Sequence, residues 1–128
     1  MKILLDSHAF LWYLMADPQL SAAARTLIAD VRNQLFLSTA SLWEMAIKLS
    51  IGKLSLPAPF VPLIPQQLQQ MNVAVLPVKL EHVAAVIALP FHHKDPFDRM
   101  LVAQCQVEQL PLLSADAIFD RYPLQRLW

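Results

Sequence analysis

Asp6, Glu44, Asp98 and Asp116 each stand at the edge of an otherwise apolar stretch. Carboxylates held close together are tolerable only with a cation between them or with raised pKa values. In a doubly wound parallel sheet the strands are buried on both faces and read as hydrophobic runs, and ligands bind beyond their carboxyl ends. Acids at those ends converge although they lie far apart in the chain, so this set points to a metal-dependent site. Each acid also has a plainer role open to it. Asp6, after Lys-Ile-Leu-Leu, and Asp116, in Leu-Leu-Ser-Ala-Asp-Ala-Ile-Phe, could cap the helices that follow them. Ser41-x-x-Glu44 fits a capping box, and Glu44 to Lys48 an i,i+4 ion pair. The run His93-Lys-Asp-Pro-Phe-Asp-Arg99 separates two roles. Pro96 suits a first helical position, which makes Asp95 the N-cap and puts Asp98 on the stripe of Leu101, Val102 and Cys105, facing the packed side.

Other chemistries lack their signatures. Gly52 is the only glycine, so neither a dinucleotide-binding G-x-G-x-x-G nor a Walker phosphate loop exists. His8, His82, His92 and His93 lack the ligand spacing of a zinc site. Cys105 sits among apolar helical neighbours as a core residue rather than an activated thiol, and no serine lies in a G-x-S-x-G elbow. A single cysteine forms no internal disulfide and fits a reducing compartment, so the cytoplasm is the expected location. Asp6 and His8 interrupt the apolar start too early for a signal peptide, and no stretch reaches the roughly 18 apolar residues of a membrane span.

The elements that must position the acids alternate. Strands are expected at Lys2–Asp6, Leu35–Leu37, Val73–Leu76 and Leu110–Ser114, and helices at His8–Met15, Ser21–Val31, Ser41–Ser50, Leu80–Leu89 and Phe97–Glu108. Leu20, Ala24, Leu27, Ile28 and Val31 form one helical stripe, and Gly52 falls where a left-handed cap would end a helix. Prolines 57, 59, 62 and 65 imply an extended connector leading into a short helix through Gln70. The expected fold is α/β, a single domain over residues 1–128 with a central parallel sheet of four or five strands flanked by helices. Hydrophobic residues make up 56% and charged residues 16% of the chain, against averages of roughly 45 to 50% and about 25%. That excess favours pairing, a homodimer included.

The segments Ile-Leu-Leu-Asp-Ser-His, Ser-Leu-Trp-Glu-Met-Ala-Ile-Lys, His-His-Lys-Asp-Pro-Phe-Asp-Arg-Met-Leu-Val-Ala-Gln and Leu-Leu-Ser-Ala-Asp-Ala-Ile-Phe together resemble the PIN domain family across the whole chain, and within it the VapC-type toxins. The resemblance places that family's acidic quartet on Asp6, Glu44, Asp98 and Asp116, matches its small hydroxyl residue with Ser114, and agrees at Arg99; Ser114, Arg99 and Lys48 are the expected substrate contacts. It implies a magnesium- or manganese-dependent endoribonuclease, the toxin of a toxin–antitoxin pair, with a cognate antitoxin and RNA as partners. Asp6 and Asp98 would bind the metal directly, and Glu44 and Asp116 would complete the cage directly or through water. Participation of Asp95 or Asp120 is left open.

Lysine plus arginine equals aspartate plus glutamate at ten each, whereas RNA binding calls for a basic surface. Four acids gathered round a metal would leave the remaining surface more basic, with Lys48, Lys53, Lys94 and Arg99 as phosphate contacts. The proline-stiffened segment with Ile51, Leu54, Leu56, Phe60, Val61, Leu63 and Ile64 is either an antitoxin groove or a cover for the core. Two other functions remain in view: a catalytically silent PIN-like binding module, and a haloacid-dehalogenase-type phosphatase. His8 stands where the phosphatases have their second Asp.

Overall fold

Lys2–Leu5 (β1) runs through the middle of the molecule. Its alternating side chains divide between two cores, with Ile3 and Leu5 in one, Leu4 in the other, and all three fully buried. Burial on both faces is what an uninterrupted apolar run encodes. In a computed structural model that describes residues 1–128, the remaining elements are Ser7–Leu14 (α1), Ala22–Ala29 (α2), Gln34–Ser38 (β2), Thr39–Ser50 (α3), Phe60–Gln70 (α4), Val73–Leu76 (β3), Leu80–Val86 (α5), Pro96–Glu108 (α6), Leu112–Leu113 (β4), a 3-10 turn at Ala117–Arg121 and Arg126–Leu127 (β5).

The five strands form one sheet in the order β3-β2-β1-β4-β5, every pairing parallel. Leu5 lies opposite Leu37 on one side and Leu113 on the other. From β1 the chain builds outward through β2 to β3, then returns to lay β4 on the opposite side, so the strand order reverses between β1 and β4. One face is covered by side chains of α1 to α4, including Phe10, Ile28, Met45 and Ile64, and the other by α6 and the 3-10 turn, through Leu101, Val102 and Phe119. No helix is long and apolar enough to cross a membrane.

Local chemistry explains the helix ends. The side chains of Ser21, Ser38 and Asp95 accept backbone N–H groups at the starts of α2, α3 and α6. Gly52, at φ +72°, follows α3 in the left-handed conformation that glycine adopts without strain. Several boundaries differ from expectation. α3 begins two residues early because Ser38 is its cap, and this removes the capping box: Ser41 lies inside the helix, its buried hydroxyl without a partner. α2 stops at Ala29, so Val31 leaves the stripe and is exposed. β4 is only two residues long, and β5 and the 3-10 turn were not anticipated.

The proline-rich segment is chiefly cover for the core. Ile64 is buried, and Leu54, Leu56 and Phe60 pack against the first core from its edge, while Ile51 and Val61 face outward. α4 also begins earlier than expected, with its non-helical residue at Val61. Phe60→Ala therefore acts on stability: a loss of about 1–2 kcal/mol, less than for a fully buried phenylalanine, read as a lower urea midpoint. An unchanged midpoint would show that Phe60 contributes nothing to the core.

An open apolar cavity of about 540 Å³ lies on the other side of α3, between it, α5 and α6, lined by Ala40, Trp43, Val83, Phe97 and Met100. Trp43 meets Phe97 edge-on across it at 5.3 Å.

Candidate metal centre

The crevice expected where strand order reverses is bounded by the ends of β1 and β4. The two strands are joined there by a hydrogen bond from the Asp6 N–H to the Leu113 carbonyl, 3.1 Å. Asp6 follows β1 and caps α1, its Oδ1 accepting the Ala9 N–H at 2.7 Å. The capping role and the site role coincide in one carboxylate. Burial pushes the Asp6 carboxyl above its usual range, and hydrogen bonds from Ser114 and the Ala9 N–H oppose that.

Asp116 follows β4 and caps the 3-10 turn, with Oδ1 accepting the Ile118 N–H at 3.0 Å and Oδ2 2.8 Å from His93 Nε2. Partial burial alone would raise its pKa, but the bonds from His93 and Ile118 and the charge of Arg126 hold it below the usual range. Asp98, in the first turn of α6, is pushed up to about 7, first by burial and then by the negative charge of Asp95, with Glu44 and Asp116 adding to it and His93 opposing. One donor atom from each of His93, Asp98 and Asp116 lies within 4.8 Å of the others.

Glu44 reaches the same region from α3. Its Oε1 accepts the Ser7 hydroxyl at 2.7 Å and its Oε2 pairs with Lys48 Nζ at 3.4 Å. The i,i+4 ion pair and the site role thus hold together. Glu44 adds negative charge at Asp98, and Asp116 does so at both Asp98 and Asp6, but Asp6 and Glu44 lie outside the group of donor atoms within 4.8 Å.

Asp95 is the cap of α6, accepting the N–H groups of Phe97 and Asp98 at 2.7 and 3.2 Å. Asp120 is bound by Arg126 at 2.9 and 3.1 Å and is held below its usual range by that bond. Lys48 stands beside the site through Glu44, and Lys53 and Lys94 are exposed.

Two expected substrate contacts do not face the crevice. Ser114 is fully buried, bonded to Asp6 and accepting the Asp116 N–H at 3.1 Å, so it ties two acids together. Arg99 is turned into the protein, 6% exposed, donating to the carbonyls of Pro90, Val86 and Leu89 at 2.9, 3.2 and 3.3 Å and lying 4.1 Å over the Phe91 ring. Those carbonyls belong to the end of α5 and the turn after it, where unpaired acceptors collect, and a planar guanidinium satisfies several at once. Conversely, Ser7 and His93 belong to the site and carried no spacing signal. The adjacency of His93 to the Asp-Pro-Phe-Asp run was the one available hint.

The donor set consists of carboxylate oxygens with one imidazole at the edge, which suits a hard divalent cation of the Mg2+ or Mn2+ kind over a thiolate-seeking metal. Burial and neighbouring acids push the Asp98 carboxyl up to about 7, so its charged form is unfavourable unless a positive charge lies beside it.

A PIN domain model matches residues 3–124. Ribonuclease VapC16 of Mycobacterium tuberculosis (strain ATCC 25618 / H37Rv) is 38% identical over 71 residues, 52% of this chain and 50% of that protein. The match thus spans about half the length of that curated relative. Among solved structures, VapBC2 from Rickettsia felis bound to a DNA fragment from its promoter aligns with a TM-score of 0.74 at 14% identity, covering 100% of this chain and 99% of that one. FitAcB from Neisseria gonorrhoeae aligns at 0.67 with 16% identity, covering 98% and 96%. A toxin–antitoxin complex from Klebsiella pneumoniae aligns at 0.66 with 14% identity, covering 98% and 96%. At these identities the structural matches establish the fold.

Proposed function

The chain belongs to the PIN domain family, and on that premise we propose that it is a magnesium- or manganese-dependent endoribonuclease, the toxin of a toxin–antitoxin pair. The observation that supports the reading is the cluster of Asp98, Asp116 and His93, whose donor atoms lie within 4.8 Å of one another, beside the ends of β1 and β4 where the strand order reverses. The ribonuclease name of its curated relative agrees.

In this reading Asp6 and Asp98 hold the cation, and Glu44 and Asp116 complete the cage. When bound, the cation supplies Lewis acidity for an in-line displacement at phosphorus and lowers the pKa of water. Ser7 and Ser114 keep Glu44, Asp6 and Asp116 in register through hydrogen bonds. Lys48, half exposed beside Glu44, receives a phosphate at the rim, and the exposed Lys53 and Lys94 add positive charge for the RNA backbone. The strand entering this crevice is single-stranded or looped, since an open chain can present one phosphodiester at a time to a recessed site.

The cognate antitoxin is the protein partner, in keeping with structural neighbours solved as toxin–antitoxin complexes. A homodimer is supported by the large apolar side chains left outside, Trp43, Leu80, Val83, Ile87 and Phe91 among them.

Purified protein cuts unstructured RNA in the presence of Mg2+ or Mn2+ and stops in EDTA, as followed on denaturing gels. Undiminished cutting in chelator, by a preparation free of other nucleases, would remove the metal from the mechanism.

A further inference from the structure

His93 is 7% exposed although it sits in the loop that leads into α6. Its ring is held on three sides. Phe119 lies 4.5 Å away at a tilt, Tyr122 is stacked nearly parallel at 5.6 Å, and the Asp116 carboxylate is 2.8 Å from Nε2. The hydrogen-bond pattern also fixes which nitrogen carries the proton. The Asp116 carboxylate can only accept, so Nε2 carries the N–H, and the Tyr122 hydroxyl, which accepts the His93 backbone N–H at 3.0 Å, has its O–H free to donate to Nδ1 at 3.2 Å. Nδ1 is then the acceptor, and Nε2 is the N–H that donates to Asp116 Oδ2. With Oδ1 bonded to the Ile118 N–H, the Asp116 carboxylate is fixed at both oxygens, and each retains acceptor capacity toward the crevice.

We infer, resting on the metal-centre reading above, that His93 is a positioning residue: locked by Tyr122, it aims the Asp116 carboxylate at the cation and is not itself a ligand. The proximity of His93, Asp98 and Asp116 alone would also fit direct ligation by the imidazole. The bonding argues otherwise, because Nε2 is engaged by Asp116 and Nδ1 faces the buried Tyr122 hydroxyl, so no ring lone pair points into the crevice. An outer partner of this kind typically sets metal affinity by about 10- to 100-fold. A lysine or arginine in its place would hold the carboxylate too, but with a permanent positive charge set against the cation.

The test is Mn2+ binding, measured by calorimetry and by electron spin-echo spectroscopy on the full chain without RNA. The wild-type Mn2+ complex shows no directly coordinated nitrogen. His93→Leu weakens Mn2+ binding by about 10- to 100-fold, and His93→Gln, which keeps an N–H donor, recovers part of that loss. Tyr122→Phe, which frees the imidazole to change tautomer, weakens binding by about threefold or more. A nitrogen directly bound to Mn2+ would overturn the inference, as would wild-type affinity in folded His93→Leu or Tyr122→Phe. If His93→Leu does not fold, the wild-type spectrum and Tyr122→Phe decide. Absence of Mn2+ binding by the wild type would overturn the metal-centre reading and this inference with it, whereas tight binding insensitive to these substitutions overturns this inference alone.

Discussion

Asp98→Asn lowers metal-dependent RNA cleavage by on the order of 100-fold or more while making the metal-free protein more stable at pH 8. Both effects come from one carboxylate. In the proposed reading it is an oxygen donor to the cation and needed for activity, but without a cation it is a half-buried charge facing Asp95, Glu44 and Asp116. Its folded pKa, about 7, lies above the ordinary 3.8. The stability it lends is therefore fully present only below the ordinary value, where the group is protonated in both states, and is lost as pH rises through about 7. At pH 8 the metal-free wild type bears the penalty and the amide does not. Allowing for the partial exposure of the group, the gain is about 2 kcal/mol, reduced by about 0.5 kcal/mol because a carboxylate in a first helical turn is favourable. Thermal melts in EDTA at pH 5 and pH 8 test this: the variant's advantage grows with pH. A variant less stable than wild type at pH 8 would show that Asp98 is not under electrostatic strain. Asp95→Asn is the control, since asparagine caps a helix about as well as aspartate; its folded protein keeps activity. Equal inactivation of the two variants would contradict the separation of cap from ligand.

Arg99→Met costs about 3 kcal/mol of stability, a drop in Tm of about 10 °C. Methionine keeps most of the side-chain length and loses the charge, leaving the carbonyls of Leu89 and Pro90 without a donor, while Val86 keeps only the Leu89 N–H. Arg99→Lys recovers little, because an ammonium cannot fork toward several carbonyls in one plane. Urea denaturation separates this role from phosphate binding. A folded Arg99→Met variant of wild-type stability but with weakened RNA binding would return Arg99 to the substrate surface.

What the sequence revealed depended on how local each cause was. Asp6, Asp98 and Asp116 stood out because each lies at the edge of an apolar run, whereas Glu44 rested on the family resemblance against its capping-box reading; the cap role of Asp95 was legible because Pro96 fixes the helix register. β1 was legible as a short buried run and β3 as a short apolar one, although Ala74 and Val75 of β3 are exposed. β5 was not, because two residues, Arg126 and Leu127, become a strand only by pairing with Leu112 and Leu113. Arg99 misled for a related reason. In sequence it is a charge beside two acids, and only the tertiary placement of the α5 end turns it inward. His93 was missed because its partners, Asp116 and Tyr122, lie more than twenty positions away and follow no fixed spacing.

The place of β1 in the sheet has a bearing on when a nascent chain can assemble the proposed centre. β1 is separated from one of its two neighbours, β4, by more than a hundred residues, and Asp116 comes after β4. Pairing between such distant segments must wait for the intervening chain, and domains assemble as units once their sequence has emerged from the ribosome. Until then Asp6 has neither Ser114 nor Asp116 beside it, and the cage lacks one wall. The topology therefore withholds the proposed centre until the chain through Asp116 has been made, an interval in which a partner can be synthesised before that centre is assembled.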